Sequence, residues 1–552
     1  MVKVPVEETV PVKKCDIENG DGEATRPSSP ANGRVEGVKR VMAPRHTQMI
    51  AIGGILGSGL FIGTGGALSA GGPVGILLGY IIMGGVVFAT MVALGEMAAL
   101  YPLSGGFVYY ATRFVDPALG FTVGWNYWYE LAITLPAEIT AGSIVVSYWP
   151  GGADVPVAVW VTMFLVVISA TNFFGARVFG EVEFWLASLK VITAVGLIIL
   201  GIVIDLGGAP NHDRLGFRYW KDPGAFNQLN GIPGAKGRFL AFWGVFVQAA
   251  FSYLGTEVIA LTAAEAENPR KSIPRATKTV FWRIAFFYVL GVFVIGLTVP
   301  FTDERLLDGS GTATASPFVI AIENSGIKVL PSIVNTVILL SSFSAGNSYL
   351  YAASRTLYSL ACDRQAPRIF AKVTAGGLPI VAVAITVAFG ALAYMNVSTD
   401  GGTVFDWLYT LSSITGILTW MAILVTYLRF RAGAEHQGVD RSTFPYQAPF
   451  QPYLSWVGLF FLFLVVLFNG FEVFLTDSWS TSDFISAYIS VPIFGLSYAF
   501  WKFYKKTKLV TLDAMDFSGR REGYGEMAEE NIEEKKTGVR GAVQYLMKGI
   551  WE

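Results

Sequence analysis

The sequence predicts an all-α membrane protein of twelve transmembrane helices, with interruptions in the first and the sixth. Three observations support this fold class: the composition, the recurrence of long apolar stretches, and small or polar residues in the middle of two of them. Hydrophobic residues make up 53% of the 552-residue chain and charged residues only 15%, whereas soluble domains carry about 25% charged residues. The formal net charge of −1 argues against a nucleic-acid partner.

Apolar stretches of about 20 residues recur along the chain, each long enough to cross about 30 Å of hydrocarbon. They cover residues 48–70, 74–98, 120–146, 155–173, 184–206, 239–264, 281–300, 331–352, 379–396, 404–428, 454–475 and 485–504. Lysine and arginine concentrate in alternate connecting segments, which the positive-inside rule places in the cytosol together with both termini. The predicted organisation is a polar, disordered N-terminal tail (1–45), a transmembrane domain (46–510) and a cytosolic C-terminal tail (511–552).

Glycines crowd the first apolar stretch, at positions 53, 54, 57, 59, 63, 65 and 66. Because each Gly costs a helix about 1 kcal/mol relative to Ala, the cluster fits a helix that breaks there and lines a cavity with its backbone. The alternative is close helix packing, since Gly53 and Gly57, like Gly59 and Gly63, form small-xxx-small pairs. The residues alone leave both interpretations open.

The sixth stretch contains a second interruption, at Ser252, Gly255 and Thr256. Interrupted helices in the first and sixth positions are typical of transporters built from two inverted repeats of five helices. The inference is positional, because the two halves show no evident sequence identity. For Ser252 and Thr256 the alternative is a hydroxyl that bonds back to its own helix.

Together the two interruptions predict a binding site for a zwitterion. A helix that begins at the first break directs free N–H groups and the positive end of its dipole into the cavity, which suits a carboxylate. Carbonyl groups released at the second break suit an ammonium group. Phe251 lies beside this space and either covers the ligand or belongs to ordinary aromatic packing. The predicted binding residues are Ile55, Gly57, Ser58, Gly59, Phe251, Ser252 and Gly255.

Four charged side chains fall within the apolar stretches: Glu130, Glu138, Lys190 and Glu257. Ionisable residues in a membrane span are costly and usually functional. Lys190 is interpreted as a desolvated lysine that gains and loses a proton, with snorkelling to the inner interface as the alternative. Glu257 serves either proton coupling or hydrogen bonding to the unwound backbone. For Glu130 and Glu138 the residues alone favour a structural role.

Several kinds of chemistry find no support in the sequence. No GxxxxGK[ST] motif is present, which argues against ATP-driven transport. The three histidines (His46, His212 and His436) lie far apart at the ends of apolar stretches or in loops, which argues against haem and di-metal membrane enzymes. We therefore expect no cofactor, no metal and no enzymatic activity.

Six motifs resemble those of the fungal amino acid permeases, which belong to the amino acid–polyamine–organocation superfamily. They are RHTQMIAIGGILGSGLFIGTG (45–65), GEMAALYPLSGGFVYY (95–110), GWNYWYELAITLPAEITA (124–141), FSYLGTEVIALTAAEAENPRKSIPRA (251–276), SAGNSYLYAASRTLYSLA (344–361) and WLYTLSSITGILTWMAILVTYLRFR (407–431). The resemblance implies a leucine-transporter-like fold, with helices 1 to 5 and 6 to 10 as inverted repeats. It also implies proton-coupled uptake of amino acids at a fungal plasma membrane.

The resemblance also implies roles for individual residues. The backbone near Ser58 and Gly59 would hold the substrate carboxylate, and Phe251 would cap the substrate. Lys190 matches a lysine on the fifth helix that replaces a sodium ion in proton-coupled relatives. The acidic positions suspected in coupling are matched by Glu138 and Glu257, whereas Glu130 stands where many relatives have an uncharged residue.

The leading interpretation is a plasma-membrane symporter that imports L-amino acids with protons by alternating access. A pocket for Glu or Asp should hold an additional cation, and Lys190 lies too far towards the inside to serve. A neutral or broad range is therefore favoured over a dicarboxylic one. A non-transporting sensor of the same fold is the alternative from another class, disfavoured by the modest tails. Lysines of the N-terminal tail (Lys3, Lys13 and Lys14) resemble targets of ubiquitin ligases, although a merely solvated tail fits them equally.

Overall fold

The computed structural model describes residues 57–101, 106–174, 176–258, 273, 277, 279–307, 316–374, 377–475 and 479–517. Every regular element in these ranges is a helix, in agreement with the predicted all-α class. The predicted N-terminal tail (1–45), the predicted binding residue Ile55 and residues 518–552 of the predicted C-terminal tail lie outside the described residues.

The α-helices of the described residues are numbered in chain order. They are α1 (Thr64–Leu100), α2 (Gly106–Phe114), α3 (Pro117–Val146), α4 (Val157–Phe173), α5 (Ala176–Asp205), α6 (Arg218–Lys221), α7 (Gly234–Tyr253), α8 (Leu290–Thr298), α9 (Glu304–Leu307), α10 (Pro317–Asn324), α11 (Leu330–Cys362), α12 (Ile380–Gly390), α13 (Gly401–His436), α14 (Tyr453–Leu467), α15 (Thr481–Tyr488) and α16 (Ser490–Lys505). Turns of π-helix, Gly59–Gly63 and Ile284–Val289, precede α1 and α8.

Several of these helices are suited to a bilayer. Six stretches within the described chain are long and apolar enough to cross a membrane, and the pair α15–α16, bent by 45°, makes a seventh. The six are Gly59–Leu100, Pro117–Val146, Phe179–Asp205, Thr279–Thr298, Ile380–Val397 and Gly401–His436. Other predicted spans form helices that are shorter, as in α4 and α14, or richer in polar residues, as in α11. The chain is thus a multi-pass helical membrane protein, and the count of twelve stays a prediction.

The long stretch Gly59–Leu100 is interrupted at Gly72. Its 42 residues would extend about 63 Å as one straight helix, roughly twice the hydrocarbon thickness. Gly72 has a φ of 71°, outside the helical region, and Pro73 follows it. A Cβ at Gly72 would lie only 2.8 Å from the backbone nitrogen of Asn227, so only glycine fits this kink. The interruption falls between the predicted first and second spans.

Helix α3 is the most enclosed of the six stretches, with 94% of its apolar window buried. It packs against α11, α13 and α16. Because other helices surround it, polar side chains on α3 face protein rather than lipid. Glu130 and Glu138 are both on this helix and each is 2% exposed.

The N-terminus of α3 is capped and also anchors the end of the chain. Asp116 accepts hydrogen bonds from the backbone N–H of Ala118 at 2.8 Å and from Thr507 Oγ1 at 2.7 Å. It also forms an ion pair with Lys502 of α16. Pro117 occupies the first helical position, where its missing N–H costs nothing. The Asp116 carboxylate therefore caps α3 and also links α16 to it.

The segment 507–517, which follows α16, packs against the helices rather than extending away from them. The N–H of Val510 donates to the carbonyl of Val115 at 2.9 Å. The side-chain amide of Gln437 donates to the carbonyl of Met515 at 2.8 Å, and Met515 is 3% exposed. The packed chain thus reaches Phe517, past the boundary at 510 that the sequence predicts.

Asp116→Ala should lower the melting temperature of the detergent-solubilised chain more than Asp116→Asn does. Asparagine still caps a helix, whereas alanine removes the cap at a cost of about 1 kcal/mol. Asp213→Ala is the control, because the ion pair of Asp213 with Arg218 is half exposed and contributes little. Equal melting temperatures for the two Asp116 variants would contradict the capping role.

Candidate functional site

The described chain begins at the first predicted interruption. Ser58 occupies the N-cap position of the π-helical turn Gly59–Gly63, and its side chain makes no capping hydrogen bond. Ser58 is fully buried. A carboxylate is a suitable partner for any N–H group of this turn that has none within the helix. Whether the helix continues before Gly57 lies outside the described residues.

The sixth predicted span ends its helix within the predicted interruption. Helix α7 stops at Tyr253, and Leu254 has an extended ψ of 148°. Gly255 has a φ of 81°, in the left-handed region that favours glycine. Residues 254–257 form turns rather than helix. Within the turn, the carbonyl of Phe251 accepts from the N–H of Leu254 at 3.2 Å and the carbonyl of Tyr253 accepts from Thr256. Each carbonyl oxygen has a second lone pair that can still accept a hydrogen bond.

Glycine at position 59 lets the two segments touch. A Cβ at Gly59 would lie 2.9 Å from Ser252 Cα and 3.1 Å from Phe251 Cδ1. The hydroxyl of Ser252 lies 2.9 Å from the carbonyl of Gly59 and 2.7 Å from the hydroxyl of Tyr80. Close packing thus accounts for Gly59. A Cβ at Gly63 would meet nothing within 4 Å.

The sequence leaves alternatives open for the hydroxyls of Ser252 and Thr256 and for the ring of Phe251, and the structure bears on each of them separately. Thr256 bonds back to the carbonyl of Tyr253 at 2.6 Å, which is the structural alternative. Ser252 also bonds back to its own helix, at the carbonyl of Gln248 at 3.3 Å, and in addition bridges to the carbonyl of Gly59 in the first helical segment. Phe251 is 6% exposed, and its ring centroid lies 5.9 Å from that of Phe405 and 5.7 Å from that of Tyr409. Phe251 therefore has the aromatic packing that the sequence allows, and it adjoins Gly59.

Glu138 lies against the start of the first helical segment. A Cβ at Gly57 would lie 2.8 Å from Glu138 Oε1. The carboxylate interacts with the backbone amide of Ser58. A carboxylate of the protein itself therefore faces the amides that the sequence assigns to a substrate carboxylate.

Lys190 belongs to the same cluster as Glu138. It is 1% exposed, and its Nζ is buried with no hydrogen-bond partner among the described residues. Nζ lies 3.9 Å from Glu183 Oε1 and also attracts the Glu138 carboxylate. The snorkelling alternative is wrong, since a snorkelling ammonium would reach the interface.

Glu183 is a member of this cluster that the sequence analysis missed. It is fully buried, and both carboxylate oxygens lie 2.7–2.8 Å from the hydroxyl of Ser344 on α11. Glu183 and Lys190 are seven residues apart, which places them on one face of α5 two turns from each other. That spacing was the available signal, but Glu183 sits at the edge of the predicted span, where a carboxylate is unremarkable.

Glu257, the third predicted coupling residue, lies in a second cluster with Glu130. Trp420 Nε1 donates to Glu257 Oε2 at 3.2 Å, and Thr419 Oγ1 donates to Glu130 Oε2 at 3.1 Å. Glu257 itself belongs to the turn after α7, and its bond from Trp420 holds that turn as the structural alternative requires. The two carboxyl groups repel each other electrostatically.

Three buried polar atoms in these clusters have no partner of hydrogen-bond geometry among the described residues. They are Glu138 Oε2, Lys190 Nζ and Glu257 Oε1. An unsatisfied buried polar atom costs about 1–3 kcal/mol, and more when charged. Such atoms beside two helix interruptions are typical of a site for a polar ligand and for protons.

A cavity of about 510 Å³ lies elsewhere, between α3, α13 and α16. Aromatic side chains dominate its wall, and none of the predicted binding residues belongs to it. Its lining residues are Phe121, Trp125, Asn126, Trp128, Tyr129, Thr415, Ser490, Ile493, Phe494, Leu496, Ser497 and Phe500. The predicted substrate site therefore rests on the contacts of Gly57, Gly59 and Ser252 and not on this cavity.

Comparison with known proteins identifies the family. The sequence model described as "Amino acid permease" matches residues 46–514. The chain belongs to the amino acid permease family. Among similar proteins is the dicarboxylic amino acid permease of Saccharomyces cerevisiae, 48% identical over 89% of this chain and 82% of the relative. The proline-specific permease of Emericella nidulans is 42% identical over 90% of both chains.

The name of a further relative of this permease indicates a wider range of substrates for that relative. The general amino-acid permease GAP1 of S. cerevisiae is 43% identical over 91% of this chain and 83% of the relative. Permeases are transporters and not enzymes, so the expectation that this chain is not an enzyme is confirmed by its family. Amino acid transport and a multi-pass membrane location are thereby established for this permease at the level of the family.

Gly59→Ala should reduce amino acid uptake at least about tenfold, because overpacking by one methyl costs about 1–3 kcal/mol and must separate Gly59 from Ser252. Gly63→Ala is the matched control, since a methyl group there meets open space. Uptake by permease-deficient cells, normalised to surface protein, measures both. Equal uptake by the two variants would show that the contact between the segments is dispensable.

Proposed function

We propose that this permease imports L-amino acids across the plasma membrane by proton symport with alternating access, with both termini in the cytosol. The fold proposed for it is the twelve-helix, leucine-transporter-like arrangement of two inverted five-helix repeats. Support comes from family membership and from the end of α7 at Tyr253 beside the start of the first helical segment.

The substrate's charged head would bind between these two segments. Its carboxylate would accept hydrogen bonds from the amides of Gly57, Ser58 and Gly59, whose dipoles favour an anion. Its ammonium group would donate to carbonyls near Ser252 and Gly255, at the end of α7, through lone pairs that can still accept. Ile55 belongs to the proposed site from the sequence alone, and Phe251 would cover the substrate from α7.

The contact of Glu138 with Ser58 is the observation that carries the proposal. An ionised Glu138 and a substrate carboxylate would compete for the same helix N-terminus, since both are anions. Protonation of Glu138 removes its negative charge and frees the amides for the substrate. Substrate binding would then favour uptake of a proton, and by linkage the proton would favour substrate binding.

Lys190 would complete the coupling. Its single ammonium attracts both Glu138 and Glu183, and a buried lysine loses its proton when its carboxylate partners no longer face it. We assign Lys190 and Glu138 to proton coupling directly. Glu257 would act in coupling by responding to the position of the turn after α7, because it belongs to that turn and accepts a bond from Trp420.

The proposed substrate range is neutral or broad. Buried carboxylates (Glu130, Glu138, Glu183 and Glu257) line the proposed site and its surroundings, and a substrate with an additional carboxylate would be repelled by those that are ionised. A dicarboxylic range is the second candidate, favoured by the 48% identity to the dicarboxylic permease of S. cerevisiae. Ubiquitin ligases acting on the cytosolic tails remain a proposed partner.

Lys190→Met should abolish accumulation of substrate against its gradient while exchange of labelled for unlabelled amino acid persists. Methionine fills the same volume but carries no proton. Accumulation and exchange are measured with radiolabelled amino acid in permease-deficient cells. Wild-type rates of concentrative uptake in this variant would remove Lys190 from the mechanism, and binding without uptake by the wild type would favour a sensor.

A competition panel of all common amino acids against labelled leucine should show inhibition by many neutral amino acids and little by glutamate or aspartate at neutral pH. Like-charge repulsion from the buried carboxylates is the reason. Labelled glutamate is tested in parallel. Strong uptake of glutamate and aspartate together with weak leucine uptake would establish the dicarboxylic candidate instead.

A further inference from the structure

Two carboxyl groups flank Lys190, one towards the proposed substrate site and one towards the cytosol. Glu138 contacts the start of the first helical segment, beside the proposed substrate site. Glu183 lies on α5 itself, about 10 Å nearer the beginning of the helix by seven residues of 1.5 Å rise. In the proposed topology α5 begins at the cytosolic side. Lys190 thus stands between a substrate-side carboxyl and a cytosol-side carboxyl.

Glu183 is fully buried, and its neighbours can be named. The groups facing it are Lys190 from its own helix and two hydroxyls from α11. Both carboxylate oxygens lie within 2.8 Å of Ser344 Oγ, and Ser348 is the second hydroxyl. Lys190 Nζ is 3.9 Å from Oε1, an ion pair longer than a hydrogen bond. A small movement of the lysine would therefore make or break direct contact with Glu183.

Charge balance in the cluster of Glu138, Glu183 and Lys190 favours protonation of one of its two carboxyl groups. Two carboxylates and one ammonium carry a net negative charge, and all three groups are at most 2% exposed. An uncompensated charge in a buried site is costly. The cluster is neutral when one carboxyl group is protonated and the lysine is charged. A further titratable group, the hydroxyl of Tyr349 on α11, interacts with Glu138.

We propose that Glu183 is the group that receives the coupling proton from Lys190 and passes it towards the cytosol, with Ser344 holding its carboxylate in place. In this step an N–H bond of the Lys190 ammonium breaks, the electron pair stays on Nζ, and an O–H bond forms on Glu183. Water on the cytosolic side then takes the proton. The inference rests on the proposed symport and extends it to a residue on the exit side.

The test uses the purified full-length chain in liposomes, with radiolabelled leucine, proline or glutamate, whichever the wild type transports. Glu183→Gln keeps the shape and the hydrogen bond to Ser344 but carries no acidic proton. Accumulation driven by an inward pH gradient should fall at least about tenfold, as expected when a proton-transfer group is lost. Exchange at equal pH should stay within about threefold of wild type, because it needs no net proton transfer.

Two further variants separate proton transfer from a structural role. Glu183→Asp retains the acid and should restore part of the accumulation, with an altered pH dependence of uptake. Glu181→Gln, a neutral substitution on a partly exposed residue of the same helix, should leave accumulation and exchange unchanged. A purely structural Glu183 would instead lower exchange and accumulation together in the Gln variant.

The outcomes for the inference and for the symport are distinguishable. If the wild type accumulates no substrate under a pH gradient and takes up no protons with it, the proposed symport fails. If the wild type is coupled and Glu183→Gln accumulates substrate equally well, the role of Glu183 alone is overturned. If Glu183→Gln does not insert, an unchanged pH dependence of uptake in Glu183→Asp overturns it.

Discussion

The candidate site depends on the absence of a side chain at Gly59. A single methyl group there would overlap the backbone of Ser252, so the start of the first helical segment and the end of α7 approach each other at van der Waals distance only with glycine. Ser252 then bonds to the carbonyl of Gly59 and fixes the contact. The proposed site for an amino acid head lies at this contact, between the backbones of the two segments.

Electrostatics inside the helix bundle follow from the same geometry. Carboxylates in a low-dielectric interior are tolerated where donors or cations meet them. Glu138 has the amide of Ser58 and Lys190, Glu183 has Ser344, and Glu257 has Trp420. Compensation is incomplete for Glu138, Lys190 and Glu257, each of which has an atom without a hydrogen-bond partner among the described residues, whereas both oxygens of Glu183 are bonded to Ser344. In the proposed symport, such incompletely compensated groups change protonation state when a neighbouring helix moves.

Much of the architecture could be predicted from periodic apolarity and from glycine. The limits of α3 lie within a few residues of the predicted span 120–146, because long apolar runs have few alternatives in a bilayer. Helix α13 begins close to the predicted residue 404 but continues to His436, past the predicted end at 428. The end of α7 coincides with Gly255, whose left-handed φ is a local property. Lys190 and Glu138 stood out because charges are rare in such runs. The fold-level prediction of an all-helical membrane protein is confirmed.

Other features depend on which helices become neighbours, and a single sequence does not contain that information. Glu183 pairs with Ser344 across 161 positions, and Glu130 faces Glu257 only after α3 and the turn after α7 are brought together. The packing of residues 507–517 was missed for the same reason, since a polar segment after the last apolar stretch reads as a tail.

Hydrogen bonds link residues 507–517, at the end of the described chain, to a helix in the centre of the bundle. Asp116 and Val115 hold this segment at the first turn of α3, the helix that carries Glu130 and Glu138. A displacement of residues 507–517 would therefore reach, through Asp116 and Val115, the helix on which these two carboxyl groups lie.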